Sequence, residues 1–543
     1  MARNVLDHRP ALRGWRRIFI SLVSLVLVGL GTLIAVPGAG ASAGTANSQP
    51  RALPSTLVWG LTTTPRTLFG PTDYAWFAST VMTLVQGQML VYGPQEQLEP
   101  GILSSWKTVS PLEYQYTVRS GVRFSDGNPV TAADIAYDLN LNFNTKLASQ
   151  FGGLFVNVKS ITYSGNVVTI KLSHPDALVR QLPAGEPGMV YEKASVEKNL
   201  LDYGTPQVIP IGAGPYKISS FVPDSEITLV QNPYWYGPKQ HFKTIIFKII
   251  PDPDTMLLAL RSGEIDGTFN VGVLKEYAPF SHLEYFPALI WNGLTMDMTE
   301  SPFSDIHVRE ALYYATNRQA LVTGADNGLG KVSSTVDDPG IYGNALPKSE
   351  LDSLYNQIET FPYNIKKAKQ ELAMSVAPHG FTTTLNVPED DPADSLYAEL
   401  LKSEWAQIGV TLNIRLMPGG PRFQIILNHA KNLGVQIIGN SPDGADPVEM
   451  PWEYFSSQQA VVNGNNSSNL RVPAVDNLIN EAQAAGLATS ARDSLEAAIL
   501  ASKYVPVIPI SWLQDAVALQ KGWSISGLEP FVPDTYWTEN ITG

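Results

Sequence analysis

Apolar and polar positions alternate in short runs through the first half of the chain, and give way to longer helical stripes in the second. The clearest run is 211–237, where Tyr216-Lys217-Ile218-Ser219 alternates, Pro223-Asp224-Ser225 interrupts, and Ile227-Thr228-Leu229-Val230 resumes. A period of two broken by turn residues predicts a β-hairpin. Gly212 and Gly214 open it and read as residues supplying backbone angles closed to other side chains, while Asn232-Pro233-Tyr234-Trp235 closes it. Residues 160–172 repeat the pattern about Ser164-Gly165-Asn166. Further strands are expected at 55–61, 114–118 and 243–250. Helices are expected at 72–90 and at 253–261, the latter stopped by Gly263.

In the second half Val308, Ala311, Leu312 and Ala315 recur at helical spacing and predict one buried face. Helices at 365–375, 393–408 and about 423–429 alternate with strands at 381–386, 410–416 and 435–438. Two more helices fill 472–504 before a strand at 505–510. Helix–strand alternation at this rhythm indicates an α/β architecture. No internal repeat is visible.

The 543 residues exceed one hydrophobic core and imply two or three domains. An apolar share of 44% against 16% charged residues is that of a folded soluble protein rather than a disordered one. There is no cysteine, which excludes disulfides, thiol catalysis, thiolate zinc sites and thioether lipid anchoring. The formal charge of −13 argues against nucleic acid as a partner and favours cationic ligands.

Arg13, Arg16 and Arg17 precede an uncharged apolar run, 18–36, which is followed by Ala39-Gly40-Ala41 and Ala41-Ser42-Ala43. This order reads as a secretory signal with A-x-A cleavage sites. The alternative is a retained anchor, because the run is just long enough to span a bilayer. Arg16-Arg17 leaves open Sec or twin-arginine export. Removing residues 1–43 takes away five basic residues and one acidic residue, moving the charge to −17. Residues 44–54 form a polar tether.

Several blocks carry a resemblance. Ile211-Gly212-Ala213-Gly214-Pro215-Tyr216, with Asn232-Pro233-Tyr234-Trp235-Tyr236-Gly237, is similar to a signature of family 5 extracytoplasmic solute-binding proteins, the dipeptide- and oligopeptide-binding receptors of ABC importers. So are Leu98-Glu99-Pro100 through Trp106, the 119–127 run ending in Asp126-Gly127, Ser262-Gly263-Glu264-Ile265-Asp266, and Pro302-Phe303 through Leu312. Asp126 and Asp134 are each explained by a turn and a helix cap, without catalysis. The resemblance implies an α/β, two-lobed periplasmic-binding-protein-like fold with a hinge and an extra subdomain in the first lobe. Its expected parts are lobe I at 55–93, 201–295 and 505–543, an inserted subdomain at 94–200, and lobe II at 296–504.

The segment 439–447, Gly-Asn-Ser-Pro-Asp-Gly-Ala-Asp-Pro, follows an apolar strand directly, where open α/β lobes bind ligands. It resembles the family loop whose first aspartate holds the α-ammonium group of a peptide, and that position is Asp443. A turn aspartate beside Gly444 is the alternative reading, and Asp446 is assigned to the turn. Asn440 stands where the family usually carries tryptophan, so a non-peptide solute such as an oligosaccharide, an opine or a metal chelate stays open. Ser441, Tyr74, Trp76, Trp291 and Trp452 complete the expected cleft wall. The alternative for each aromatic is core packing.

The chain contains no G-x-S-x-G elbow, H-E-x-x-H, phosphate-binding loop or dinucleotide fingerprint. Its seven histidines show no ligand spacing. The expectation is therefore a non-enzymatic, exported receptor without cofactor or metal. It would act as a monomer that closes on a small peptide or other solute and delivers it to ABC permease subunits. A secreted hydrolase is the remote alternative.

Overall fold

Two long antiparallel strands, Ser281–Met296 and Val507–Gln520, form the spine of an eleven-stranded mixed sheet. The computed structural model describes residues 53–543 other than 74, 94–95, 148, 150, 270, 272–273, 390–391, 529 and 531–535. The expected leader, Tyr74 and the tether up to residue 52 lie outside the described residues. On one side of the spine come Val435–Asn440, Thr382–Pro388 and Thr411–Met417, paired in parallel with one another. On the other side come Gly267–Thr268, Thr56–Leu61, Thr244–Ile249, Glu226–Gln231 and Tyr216–Val222.

Each end of the spine is built into a different core. Phe286, Val517 and Leu519 pack with Trp59, Tyr216, Phe247 and Trp537. Leu294, Ile508 and Ile510 pack instead with Leu312, Leu385, Trp405 and Ile437. Between the two the ladder breaks, with register shifts between Pro287 and Trp291 and again at Asn292. Pro287 has no N–H to donate, and Leu289 takes a positive φ of 53°, so regular pairing cannot run straight through.

A separate four-stranded sheet, in the order Leu103–Ser110, Glu113–Val118, Val167–Leu172, Val158–Ser164, is covered by helix Ala132–Asn140. Thr131 and Asp134 form a capping box at that helix, and Asp126 accepts the Asn128 N–H at 2.9 Å beside Gly127. Both acids therefore have the local roles that the sequence pattern assigns them. This layer also packs on Leu289, Tyr342, Ala445 and Leu495 from the second half of the chain.

The helix expected at 72–90 is shorter, Trp76–Gln86. Gly87 ends it at φ 77°, and Asp73 accepts the N–H groups of Arg66, Thr67 and Ala75, holding the preceding segment as a loop. Strand Val507–Gln520 runs well past the expected 505–510. The glycines at the opening of the hairpin also have a different cause from the one expected. Neither takes a positive φ; instead a Cβ at Gly212 would stand 2.3 Å from the Val85 carbonyl oxygen, and one at Gly214 would stand 2.6 Å from that of Leu84. Close backbone approach selects glycine here. Gly212→Ala is expected to destabilise by about 1–3 kcal/mol, the usual cost of overpacking, and a denaturant melt checks it. Unchanged stability would show that the 84–86 segment can move aside.

Among the described residues no helix is long and apolar enough to cross a membrane.

Candidate functional site

Strand Val435–Asn440 leaves the sheet beside Trp291 and leads through 441–447 into helix Glu449–Phe455. The loop is tied from behind by its own helix. Glu449 reaches back to accept the Asp443 N–H at 2.7 Å and the Gly444 N–H at 3.2 Å. Asp446 has two roles rather than the turn alone. It accepts the Val448 N–H at 3.2 Å, and it is fully buried in an ion pair with Arg180 at 2.8 Å.

Arg180 belongs to a segment from the first part of the chain that clasps the loop. Gln181 donates to the Ala445 carbonyl, the Ala445 N–H donates to the Tyr92 hydroxyl at 3.2 Å, and a Cβ at Gly444 would touch Leu178 at 3.1 Å. Gly185 lies against the Asp443 carbonyl oxygen. The clasp brings Glu186 into electrostatic contact with Asp443. On the other side Glu453 stands one turn beyond Glu449 and takes the Asn440 side-chain N–H at 2.7 Å.

Four carboxyl groups thus share one recess: Glu186, Asp443, Glu449 and Glu453. Burial and the Asp443 charge push Glu186 up to about 7 and Glu453 up to about 8. Burial with the Asp443 and Glu453 charges also raises Glu449, against the two amide N–H groups that hold it down. Asp443 itself stays open to solvent, yet the surrounding protein pushes its carboxyl up to about 6. Among the described residues the Asp443 carboxylate has no hydrogen-bond partner, and no Lys, Arg or His pairs with any of the four acids. Desolvated carboxylates without a counter-charge favour whatever cation can enter.

The remaining expected residues divide. Asn440 faces this recess through Glu453, and Ser441 is exposed on the loop. Trp452 is half-buried, packed against the core cluster of Trp291, Val448 and Tyr454, and its indole N–H has no partner. Trp76 is half-buried at the start of its helix, edge-on to Phe269 at 6.1 Å. Trp291 is a correction: it is fully buried, with its ring 5.1 Å from that of Tyr454, and offers a solute no surface. Core packing, the ordinary fate of a large aromatic, prevails there.

Glu186, Glu449 and Glu453 were not anticipated. Glu449 and Glu453 sit four apart on one helix directly after the Asp443 loop, a spacing that puts both on one face and that the sequence does display. Glu186 carries no comparable signal. Elsewhere, His307, Glu310 and Glu371 come within 4.8 Å of one another. The pairing of His307 with Glu371 at 2.8 Å accounts for that contact.

Residues 97–461 match the family described as bacterial extracellular solute-binding proteins, family 5 (middle). The chain belongs to this family. Over 329 residues it is 27% identical to the glutathione-binding protein GsiB of Salmonella paratyphi A, an alignment covering 59% of this chain and 62% of that one. The chain thus spans under two thirds of that relative's length. Among solved structures, HbpA2 from Haemophilus parasuis superposes with a TM-score of 0.76 at 21% identity, over 90% of this chain and 99% of that one. DppA from Helicobacter pylori, in complex with the peptide STSA, superposes at 0.71 and 19% identity, over 90% and 98%. These likenesses establish the fold of the two-lobed periplasmic binding proteins of family 5. The kink in the spine lies between the two cores of this family 5 chain.

Proposed function

We propose that the chain is the exported substrate-binding protein of an ABC importer. It captures a small peptide by seating the peptide's α-ammonium group on Asp443, and it is not an enzyme. The observation that carries this reading is the exposed, unpaired Asp443 carboxylate in a cluster of four acids without a counter-cation. Bending at the kinked spine would bring the two halves together around the solute, the usual route by which a hinge sequesters a ligand. A glutathione-binding relative and a peptide-bound structural neighbour support a peptide-like solute. Calorimetry with short peptides, free or acetylated at the N-terminus, tests the assignment. Free peptides are expected to bind and acetylated ones to lose at least about thirtyfold, the effect of roughly 2 kcal/mol. Equal binding of both would remove the ammonium role.

A second reading, a cationic solute that is not a peptide, is favoured by Asn440. The family usually has an aromatic wall at this position, and here an amide is bound to a carboxyl. Mass spectrometry of material released from the purified protein by denaturation separates the two: a ladder of peptides supports the first, and a single non-peptide compound the second.

The raised carboxyls fix the sign of two pH effects. They must be ionised to hold a cation, so affinity is expected to rise with pH between about 6 and 8, with protons released on binding. That release is measured as a dependence of the binding enthalpy on buffer ionisation. For the empty protein the sign reverses. Groups whose folded pKa is raised stabilise the fold below their unfolded values, and that contribution is lost as pH rises through 6–8. A cation affinity that does not change across this window would remove the four acids from the binding step.

A further inference from the structure

A second cavity, of about 430 Å³, lies on the second half of the sheet and reaches Gly439, at the end of the strand that leads to Asp443. Its floor includes Pro388, so it sits at the carboxyl ends of two parallel strands, Thr382–Pro388 and Val435–Asn440, the usual ligand position in α/β lobes. Asp326, Asp394 and Asp515 line it, with Arg422 the one cationic side chain among the lining residues. Arg422 donates to the backbone carbonyls of Asn386 and Ile437.

Two of the acids are incompletely satisfied. Asp326 is more than nine-tenths buried; the Tyr397 hydroxyl donates to one of its oxygens, the Ser511 hydroxyl adds a weaker stabilising contact, and the second oxygen has no partner at hydrogen-bond distance. Among the described residues the Asp515 carboxylate has no partner at all, and burial pushes it up to about 6. A cavity of this size is not needed to satisfy a turn or cap a helix. Unpaired carboxylates in a desolvated space cost stability unless a counter-charge arrives.

We infer that this cavity takes a second cationic group of the same solute, so that the preferred cargo is dicationic: a peptide bearing a basic side chain beyond its N-terminus. The inference rests on the reading that Asp443 holds the first cation. Gly439 and Asp443 are four residues apart, at most about 14 Å along the chain. A lysine at the second or third position of a bound peptide can cover that span. Asp515 and Asp326 would accept from the ammonium group, while Asn292 and Gln514, also in the lining, offer neutral acceptors at its edge.

Calorimetry with Ala-Lys-Ala and Ala-Ala-Lys, each against its norleucine isostere, tests this. The lysine peptides are expected to bind wild type about tenfold or more tightly than the norleucine peptides, and Asp515→Asn is expected to erase most of that advantage. Because Asp515 has no partner to lose, the variant should fold, and its melting temperature verifies that. Asp326→Asn supplies a second variant. Equal binding of lysine and norleucine peptides to wild type overturns the inference and leaves the Asp443 reading intact. So does a lysine advantage that survives both substitutions. If no peptide binds, the Asp443 peptide reading fails, and thermal shift with spermidine decides the cavity. A stabilisation lost in Asp515→Asn supports it; no stabilisation overturns it.

Discussion

Asp443→Ala is expected to weaken solute binding by about 2–5 kcal/mol, roughly thirty- to several-thousand-fold, without lowering the melting temperature of the empty protein. The loss follows from leaving a desolvated ammonium group without its carboxylate once the solute covers the recess. The gain or neutrality in stability follows from the same crowding of charge. Asp443 raises Glu186, Glu449 and Glu453 and is itself raised, so at neutral pH its ionised form opposes folding. A residue kept at a cost to the fold and required for binding has the profile of a functional group. Isothermal titration and a melt on the same sample read both halves of the expectation. Binding like that of wild type would remove Asp443 from the site. Lost binding together with a collapsed melting temperature would make it structural instead.

Arg180→Ala is expected to cost about 3–5 kcal/mol of stability, the largest effect on folding foreseen for a single charged residue here. Its partner Asp446 is fully buried, and removal of the guanidinium leaves an uncompensated carboxylate inside the clasp. Removing both partners should recover much of the loss, because the desolvation penalty disappears with the charge. Urea titrations of Arg180→Ala, Asp446→Ala and the double variant give the coupling directly. Additive losses would mean that the pair is not a coupled unit. The single variant should also loosen the Asp443 loop, since Gln181 and Tyr92 would then hold the clasp alone.

The parts of this architecture that were legible in the sequence are those set by local rules. The hairpin around Asp224, the capping box of Thr131 and Asp134, and the Gly263 stop each depend on a few neighbouring residues. The spine strand Ser281–Met296 was not legible, because Pro287 and Gly293 read as breaks, and its length is imposed by partners more than 200 residues away. Helix Glu449–Phe455 was missed for a similar reason, with Pro451 in its first turn masking a short helical run. At the candidate site, the loop singles out Asp443 as the residue to test. Glu449 and Glu453 show only their spacing of four and Glu186 shows nothing, because an acid on a helix or turn looks solvated until the fold brings a second one against it. Trp291 was misread in the opposite sense: its burial against Tyr454 depends on a helix the pattern did not reveal.

The position of Val507–Gln520 has a consequence for biogenesis. This strand follows every other strand of the sheet along the chain, yet it lies in the middle of that sheet, between Ser281–Met296 and Gly267–Thr268. A chain not yet extended through it has Ser281–Met296 alone joining the two halves of the sheet. Until that strand enters the gap between Ser281–Met296 and Gly267–Thr268, the sheet stays split in two.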